Sequence, residues 1–434
     1  MQKYSKYKDS GVKWLGEIPS HWEVKRWRFL LEENCKKNSD CLVRKQLQFR
    51  YGDIVQKSNQ ETDADVLETI SKYTVVRPND IMINGLNLNY DFISQRVAQV
   101  REEGAITSAY ICLRPTDIAN SRYYTYFLKS MDSKKMFHGM GTGIRLTLSY
   151  NELKNQFIPK PSYEEQTAIA DYLDSATSKI DNAIAKQQKM IDLLNERKQI
   201  IINDAVTKGL DPKVKMKDSG IDWIGHIPEH WNFVKLKHLS TIISKGTTPS
   251  TIGRDVLSSG NIRFIKAENI VNNGVSIYPE FYIDETTQKM LKRSNLKAND
   301  LLFVIAGATI GKVAILPKEL TPANTNQAIS FIRLINQNNV KYVWLVLQSD
   351  ITKKYIWENA VQSAQPNISM EDLGNIQIPL PASEEEQLGI ITHAERQTEP
   401  IEESIDICNR QIALLQERKQ IIINDVVTGK VKVV

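Results

Sequence analysis

The chain contains no run of 18 apolar residues, the length that a membrane-spanning helix needs. Its first residues (Met1-Gln2-Lys3-Tyr4-Ser5-Lys6) hold no apolar signal core, so a soluble, cytoplasmic protein with no membrane partner is expected. It has only 4 cysteines (Cys35, Cys41, Cys112, Cys408), none spaced as Cys-x-x-Cys, and only 6 histidines. That set offers no metal site of the zinc type, and the thiols read as reduced packing residues. Neither sign of charge dominates: 56 Lys and Arg stand against 51 Asp and Glu, a net charge of +5. This balance permits a nucleic-acid partner without demanding one, because tracking phosphates needs only a local basic face. The 434 residues, 41% of them hydrophobic, allow two to four domains with real cores.

What the chain has is repetition. The residues Glu196-Arg197-Lys198-Gln199-Ile200-Ile201-Ile202-Asn203-Asp204 recur unchanged at Glu417 to Asp425, an offset of 221 (417 − 196). Nearer the start, Lys8-Asp9-Ser10-Gly11, Trp14, Gly16, Ile18-Pro19 and His21-Trp22 reappear as Lys217-Asp218-Ser219-Gly220, Trp223, Gly225, Ile227-Pro228 and His230-Trp231. Here the offset is 209 (217 − 8). The second copy is longer by 12 residues (221 − 209), all between the two signatures. Like ends around unlike middles point to one scaffold carrying two different readers.

Each copy closes on a long helical pattern. In the second, Ile391, Ala394, Thr398, Ile401, Ile405, Cys408, Ile412, Leu415, Lys419, Ile422 and Val426 are separated by alternating steps of three and four, a heptad seam. The first copy keeps that register 221 positions earlier, at Ala170, Leu173, Thr177, Ile180, Ile184, Gln187, Ile191, Leu194, Lys198, Ile201 and Ala205. A helix from Glu164 to Thr207 would be roughly 65 Å long at about 1.5 Å per residue, too long to pack only on a small domain of its own. The expected partner is the helix of the other copy, paired antiparallel about a pseudo-twofold axis. Proline-punctuated strand ends precede both (Ile158-Pro159-Lys160-Pro161; Ile378-Pro379-Leu380-Pro381), and Glu164-Glu165 and Glu384 to Glu386 suit the positive end of a helix dipole. Pro400 stands where the first seam has Lys179, predicting a kink or a restart.

Off the seam, Glu196, Arg197, Gln199 and Asn203 match Glu417, Arg418, Gln420 and Asn424. These positions should be exposed, and a partner protein gripping both copies alike would explain their identity.

The organisation expected is α+β: globular segments over 1–161 and 211–381, and long helices over 162–210 and 382–434. Strand-like runs fall at 73–77, 80–84, 106–114, 261–267, 300–305 and 328–334, and helical patterns at 121–137 and 340–359. Two faint echoes join the middles. Arg145-Leu146-Thr147-Leu148-Ser149 with Leu153 aligns to Gln365-Pro366-Asn367-Ile368-Ser369 with Leu373, and Arg77-Pro78-Asn79-Asp80 resembles Lys297-Ala298-Asn299-Asp300. Lys430-Val431-Lys432-Val433 resembles Lys213-Val214-Lys215-Met216, the lead into the second copy, so the two ends of the chain are expected to be neighbours.

Taken in order, these motifs resemble the specificity (S) subunits of type I restriction-modification systems. The resemblance rests on Asp-Ser-Gly, Trp, Ile-Pro and His-Trp opening both halves, and on Ile-Pro-x-Pro followed by Glu164-Glu165-Gln166 or Glu385-Glu386-Gln387. Glu-Arg-Lys-Gln closes both helices, and Gly246-Thr247-Thr248-Pro249-Ser250, Ala306-Gly307-Ala308-Thr309-Ile310-Gly311 and Ile106-Thr107-Ser108-Ala109-Tyr110 complete it. The resemblance implies two target-recognition domains on antiparallel spacer helices, each reading half of a split, asymmetric site in double-stranded DNA. It implies two methyltransferase subunits docked on the helices and, where a nuclease forms, two restriction subunits. Adenine methylation and ATP-driven cleavage would belong to those partners, so S-adenosylmethionine, ATP and Mg are expected there and no cofactor here.

Rival readings make the chain itself a methyltransferase or a nuclease, or a pure coiled-coil scaffold; two large unlike globular segments disfavour the last. Phe137-His138-Gly139-Met140-Gly141 resembles the S-adenosylmethionine loop of adenine methyltransferases, yet it follows a helical pattern where a strand is required. No Pro-Pro dipeptide exists to complete an Asp/Asn-Pro-Pro-Tyr motif. Gly307-Ala308-Thr309-Ile310-Gly311-Lys312 falls one residue short of a P-loop and continues with Val313 where Ser or Thr should hold magnesium. Asp80, Glu152 and Lys154 make a nuclease centre only on paper. His21-Trp22 and His230-Trp231 read as structural corners, with a buried indole and a histidine capping a turn. No catalytic residue is assigned.

Base pairs show distinct donor and acceptor patterns in the major groove, where Arg suits guanine and Asn or Gln suits adenine, while Lys and Thr more often hold phosphate. Candidate DNA contacts are Lys57, Asn87, Asn89, Tyr90, Arg96, Arg145 and Thr147 in the first half. In the second they are Lys245, Thr247, Thr248, Arg254, Thr309, Lys312, Asn324, Asn326, Gln327, Gln365 and Asn367. Asn87 to Tyr90 with Arg145, and Thr247-Thr248 with Gln365, are favoured.

Overall fold

A computed structural model describes residues 2–50, 52–57, 63–221, 224–271, 274–360 and 366–433. The seam becomes two long helices, Tyr163–Lys208 of 46 residues and Glu384–Val427 of 44. All twenty-two seam residues are buried or half-buried, while most positions between them are exposed. Pro400 lies inside the second helix, which neither ends nor restarts there. Proline removes one backbone donor, and both Pro400 and Arg396, four residues earlier, are exposed, so the carbonyl set free can take its hydrogen bond from water.

The chain divides into two compact units, Met1–Gln188 with Asn409–Val434 and Lys189–Cys408. Each unit therefore owns half of each long helix, a division that differs from the four consecutive segments read from the sequence.

In the first unit, strands β1 (Leu31–Glu33), β2 (Ile81–Ile83), β3 (Val97–Gln99) and β4 (Ile111–Pro115) form an antiparallel sheet in the order β1-β4-β2-β3. Helix α1 (Ser121–Ser133) starts where the Asn120 side chain accepts from the backbone of Arg122 and Tyr123. It stops before Lys135, which is left-handed at φ 58°, so the helix expected to reach 137 is shorter. The strand expected over 106–114 is two strands, Gly104–Ile106 and β4, separated where Ser108 turns its hydroxyl onto the Lys72 carbonyl at 2.8 Å. One core joins the sheet and α1 (Ile81, Leu113, Tyr123, Phe127) to both long helices (Leu173, Ile180; Ile422, Val426). The chain ends meet: the backbone of Lys432 donates to Gln2 at 2.9 Å, as the sequence suggested.

The second unit repeats the plan. Strands β5 (Ser240–Lys245), β6 (Leu301–Val304), β7 (Val313–Ile315) and β8 (Ile329–Leu334) run in the matching order β5-β8-β6-β7, again all antiparallel. A three-stranded sheet (Tyr282–Ile283, Ile262–Ile265, Ala323–Thr325) accompanies it. The pattern over 340–359 is two helices, α2 (Val340–Gln348) and α3 (Asp350–Asn359), parted by extended Ser349. Its core joins Phe303, Ile332 and Val343 to Ile202 and Val206 of the first long helix and to Ile391 and Ala394 of the second.

The faint echoes between the middles mark shared struts. Asp80 is buried and held by Arg114 through Nε at 2.9 Å and Nη2 at 2.8 Å. Asp300 is held alike by Arg333, at 2.8 and 2.6 Å. Asn79 and Asn299 make the left-handed turn before each aspartate, at φ 76° and 66°.

Candidate nucleic-acid interface

In both units the loop leaving the central strand is laced to the segment entering the next short helix. The backbone of Leu148 donates to Gly85 at 2.9 Å in the first unit, and that of Ile368 donates to Ile305 at 3.0 Å in the second. Gly85 is required by this approach, since a Cβ there would lie 2.5 Å from the Leu148 carbonyl oxygen. Ser149 and Ser369 then cap the short helices Tyr150–Leu153 and Met370–Asn375. The same lacing presents different side chains in each unit.

In the first unit the lacing brings Asn87, Asn89 and Tyr90 beside the turn carrying Arg145 and Thr147. Leu88 N donates to Leu146 O at 3.2 Å, and Asn89 Nδ2 donates to Ile144 O at 3.2 Å. Asn87, Tyr90, Arg145 and Thr147 are exposed, whereas Asn89 and Lys57 are half-buried. Arg96 is not available as a base contact. It is 2% exposed, and its guanidinium donates to the carbonyls of Asn84 (3.1 Å), Leu86 (2.9 Å) and Asp91 (2.8 Å). It braces the loop from beneath. Asp91 caps the next turn, accepting from the backbone of Ser94 and Ile93, and those bonds hold its pKa down at about 2.

In the second unit, loops 245–248, 306–312 and 324–327 and the segment at 366–369 converge. Thr247 N donates to Thr325 O at 3.1 Å, Gly307 N donates to Pro366 O at 3.1 Å, and the Thr248 hydroxyl bonds the Gln327 side chain. Gly246 is required here, because a Cβ would collide with the Thr325 carbonyl. Lys245, Lys312, Gln327 and Asn367 are exposed, and Thr247, Thr248, Thr309 and Asn326 are half-buried. Asn324 is 0% exposed and spends its amide on Gln288, Leu291 and Asn295, so it is a core residue and not a reader. Arg254 is taken up by Asp284 at 3.1 Å and Thr287 at 3.2 Å. Gln365 lies outside the described residues.

The residues that suggested chemistry have other occupations. Asp80 is bound by Arg114, and Glu152 accepts from Ser149 in a capping box, so the nuclease grouping dissolves. Phe137 to Gly139 lie in a short 3-10 helix after α1, Met136–Gly139, in which the His138 ring stacks on Phe92, centroids 4.7 Å apart. Gly307 to Lys312 form a turn closed by Ile310 N on Gly307 O at 3.1 Å. Trp22 and Trp231 are fully buried, as corner residues should be. Their neighbouring histidines do not cap a turn but reach the long helices: His21 meets Glu165 and His230 meets Glu386, each at 3.0 Å.

Three of the eight repeated off-seam positions also differ from expectation. Asn203 and Asn424 are half-buried and bonded inside their own units. Asn203 takes the backbone N–H of Asp350 at 2.7 Å, and Asn424 takes the Ser130 hydroxyl at 3.1 Å. Gln199 is half-buried and donates to Gln348 O at 3.1 Å, while Gln420 is exposed. Glu196, Arg197, Glu417 and Arg418 are exposed as expected, joined by two apolar pairs that were missed, Leu193 with Ile200 and Leu414 with Ile421. The signal was present: those pairs also stand 221 apart.

Beside each repeated segment lies a cleft. In the first unit it encloses about 980 Å³ and is lined by Glu417, Lys419, Gln420 and Ile423 on one side and Arg101 and Lys129 on the other. Burial pushes the Lys129 pKa down. In the second it encloses about 700 Å³, with Glu196, Lys198, Gln199 and Ile202 facing Lys312, Lys353 and Trp357. The four residues that each repeated segment contributes here correspond one to one, at an offset of 221; the facing walls do not correspond.

Residues 99–191 and 228–414, well over half of the chain, match the family described as type I restriction modification DNA specificity domain. The chain is 29% identical over 441 residues to the type I restriction enzyme MjaVIII specificity subunit of Methanocaldococcus jannaschii, covering 98% of this chain and 97% of that one. It is 25% identical over 251 residues to the EcoBI specificity subunit of Escherichia coli, covering 55% and 51%. A solved structure from work on complex assembly and conformational transition of the type I restriction-modification system superposes with a TM-score of 0.64. That match has 14% identity over 95% of this chain and 99% of that one, a likeness of fold. The chain belongs to the DNA specificity subunits of type I restriction-modification systems.

Proposed function

We propose that the chain reads a two-part, asymmetric site in double-stranded DNA, one part with residues of each globular segment (1–161 and 211–381), and holds the subunits that act on it. Recognition is its role; the bond-making belongs elsewhere in the complex. The observation that carries this reading is the repeated lacing. The matched bonds place Asn87, Asn89, Tyr90, Arg145 and Thr147 in the first unit, and Thr309, Lys312 and Asn367 in the second, where the neighbouring loops 245–248 and 324–327 add Lys245, Thr247, Thr248, Asn326 and Gln327. Equal frames with unlike donors and acceptors are what two different half-sites need.

The partner side of the reading rests on the long helices. Leu193, Glu196, Arg197 and Ile200 share one helix face, at spacings of three, four and seven. Leu414, Glu417, Arg418 and Ile421 repeat that face, and two identical faces suit two copies of one partner. We assign them to two methyltransferase subunits, with restriction subunits joining where cleavage occurs. S-adenosylmethionine, ATP and Mg would be bound by those partners.

The test is to map methylated sites in cells carrying this chain with its methyltransferase partner. Arg145→Ala should relax one position of one half-site and leave the other half intact. A site lost or altered in both halves would contradict the division of labour.

A further inference from the structure

The recognition loops of the first unit end in two apolar tips. Ile93 is 94% exposed and Ile144 is 95% exposed. A single exposed isoleucine needs no explanation. These two differ because each is held out by a braced loop. The turn carrying Ile93 is capped by Asp91, whose Oδ1 accepts from Ile93 N at 3.0 Å and Ser94 N at 2.9 Å. The Asp91 carbonyl is itself held by the buried Arg96 at 2.8 Å, and the His138 ring stacks on Phe92. Ile144 sits in a turn closed by Leu146 N on Gly143 O at 3.1 Å and by the pairing of Thr142 with Thr147. The Ile144 carbonyl takes the Asn89 amide, which ties its turn to the loop bearing Tyr90 and Ile93.

Desolvating such tips is favourable only against an apolar surface. Their surroundings say which one. Arg145 follows Ile144, the exposed Asn87, Tyr90 and Thr147 share the same two loops, and Asp91, the single carboxylate there, is engaged by the Ile93 and Ser94 amides. An uncharged apolar tip among groove-reading side chains matches the stacked faces of bases, and architectural DNA-binding proteins use such wedges to open a base step.

We propose that Ile93 and Ile144 are wedges that press into the base stack at the first half-site and unstack a step there. The proposal rests on the DNA-recognition reading. An unstacked step lowers the cost of rotating a neighbouring base out of the helix, which chemistry on a base in duplex DNA requires.

The experiment places 2-aminopurine at successive positions of the first half-site and records its fluorescence in the complex of the full chain with its methyltransferase partner. The wild-type complex should brighten the probe severalfold at one step. Ile93→Ala with Ile144→Ala should return that step to the level of free duplex, while sequence-specific binding and the second half-site are kept. Ile93→Leu with Ile144→Leu should retain the signal. An identical profile for wild type and the alanine pair overturns the wedge, as does loss of the methyltransferase subunit from the alanine complex, which would make the tips a protein contact. Absence of any specific footprint by the wild-type complex would instead sink the DNA-recognition reading itself.

Discussion

Lys419 places its ammonium 2.7 and 2.8 Å from the two carboxylate oxygens of Asp181, joining the two long helices within the first unit. In the second unit Lys198 bonds one carboxylate oxygen of Glu402. Each bond is the other displaced by the repeat, since 419 − 198 and 402 − 181 are both 221. Moving up the first helix from Asp181 to Lys198 means moving down the second from Lys419 to Glu402, which is the signature of antiparallel pairing.

These bonds are partly exposed and individually weak. Lys419→Glu should lower the stability of the full chain by about 1 kcal/mol or less, and adding Asp181→Lys should recover most of it. Denaturant unfolding of the four variants of this cycle checks the coupling; strictly additive effects would contradict the contact.

Arg96 and Arg145 should separate cleanly. Arg96→Ala leaves three carbonyls without their shared donor and should destabilise the chain by about 3 kcal/mol. Arg145→Ala, at an exposed turn, should leave the melting temperature unchanged and cost about 1–3 kcal/mol at one base pair. Melting curves and binding to single-base variants of the site read the two effects.

Asp91 carries a pH signature. Its pKa is held down, at about 2, by backbone N–H donors that favour the charged form. A lowered folded-state pKa adds stability that is complete above the unfolded value of about 3.9 and is lost as pH falls through the folded one. Carboxyl NMR should find Asp91 titrating well below an ordinary aspartate, with Ile93 and Ser94 amide shifts following it. Titration near 4 would mean the cap is not formed.

The repeated helix faces should be separable too. Leu414→Ser with Ile421→Ser, at exposed positions, should keep the fold and reduce the bound methyltransferase subunits from two to one. Native mass spectrometry counts them, and an unchanged count would place the docking face elsewhere.

The helices and their pairing were legible in the sequence because a heptad seam writes burial directly into spacing, and the 221-residue offset gave the register. The struts at Asp80 and Asp300 left only a trace, since Arg114 and Arg333 are distant in sequence and carry no local mark. Arg96 and Asn324 were misread for a physical reason. Arg and Asn are chosen both to read bases and to satisfy buried carbonyls, and only burial distinguishes the two uses. The tips at Ile93 and Ile144 had no sequence signal, because a loop has no periodicity against which an exposed apolar residue stands out. Two of the repeated polar positions, Asn203 and Asn424, turned out to be kept alike by contacts inside each unit.

The most direct test inserts one heptad into both long helices at matching positions and maps the methylated sites made with the partner subunits. The account predicts unchanged half-site letters with an altered number of base pairs between them. An unchanged gap would contradict the role of spacer that the family resemblance implies for the two long helices.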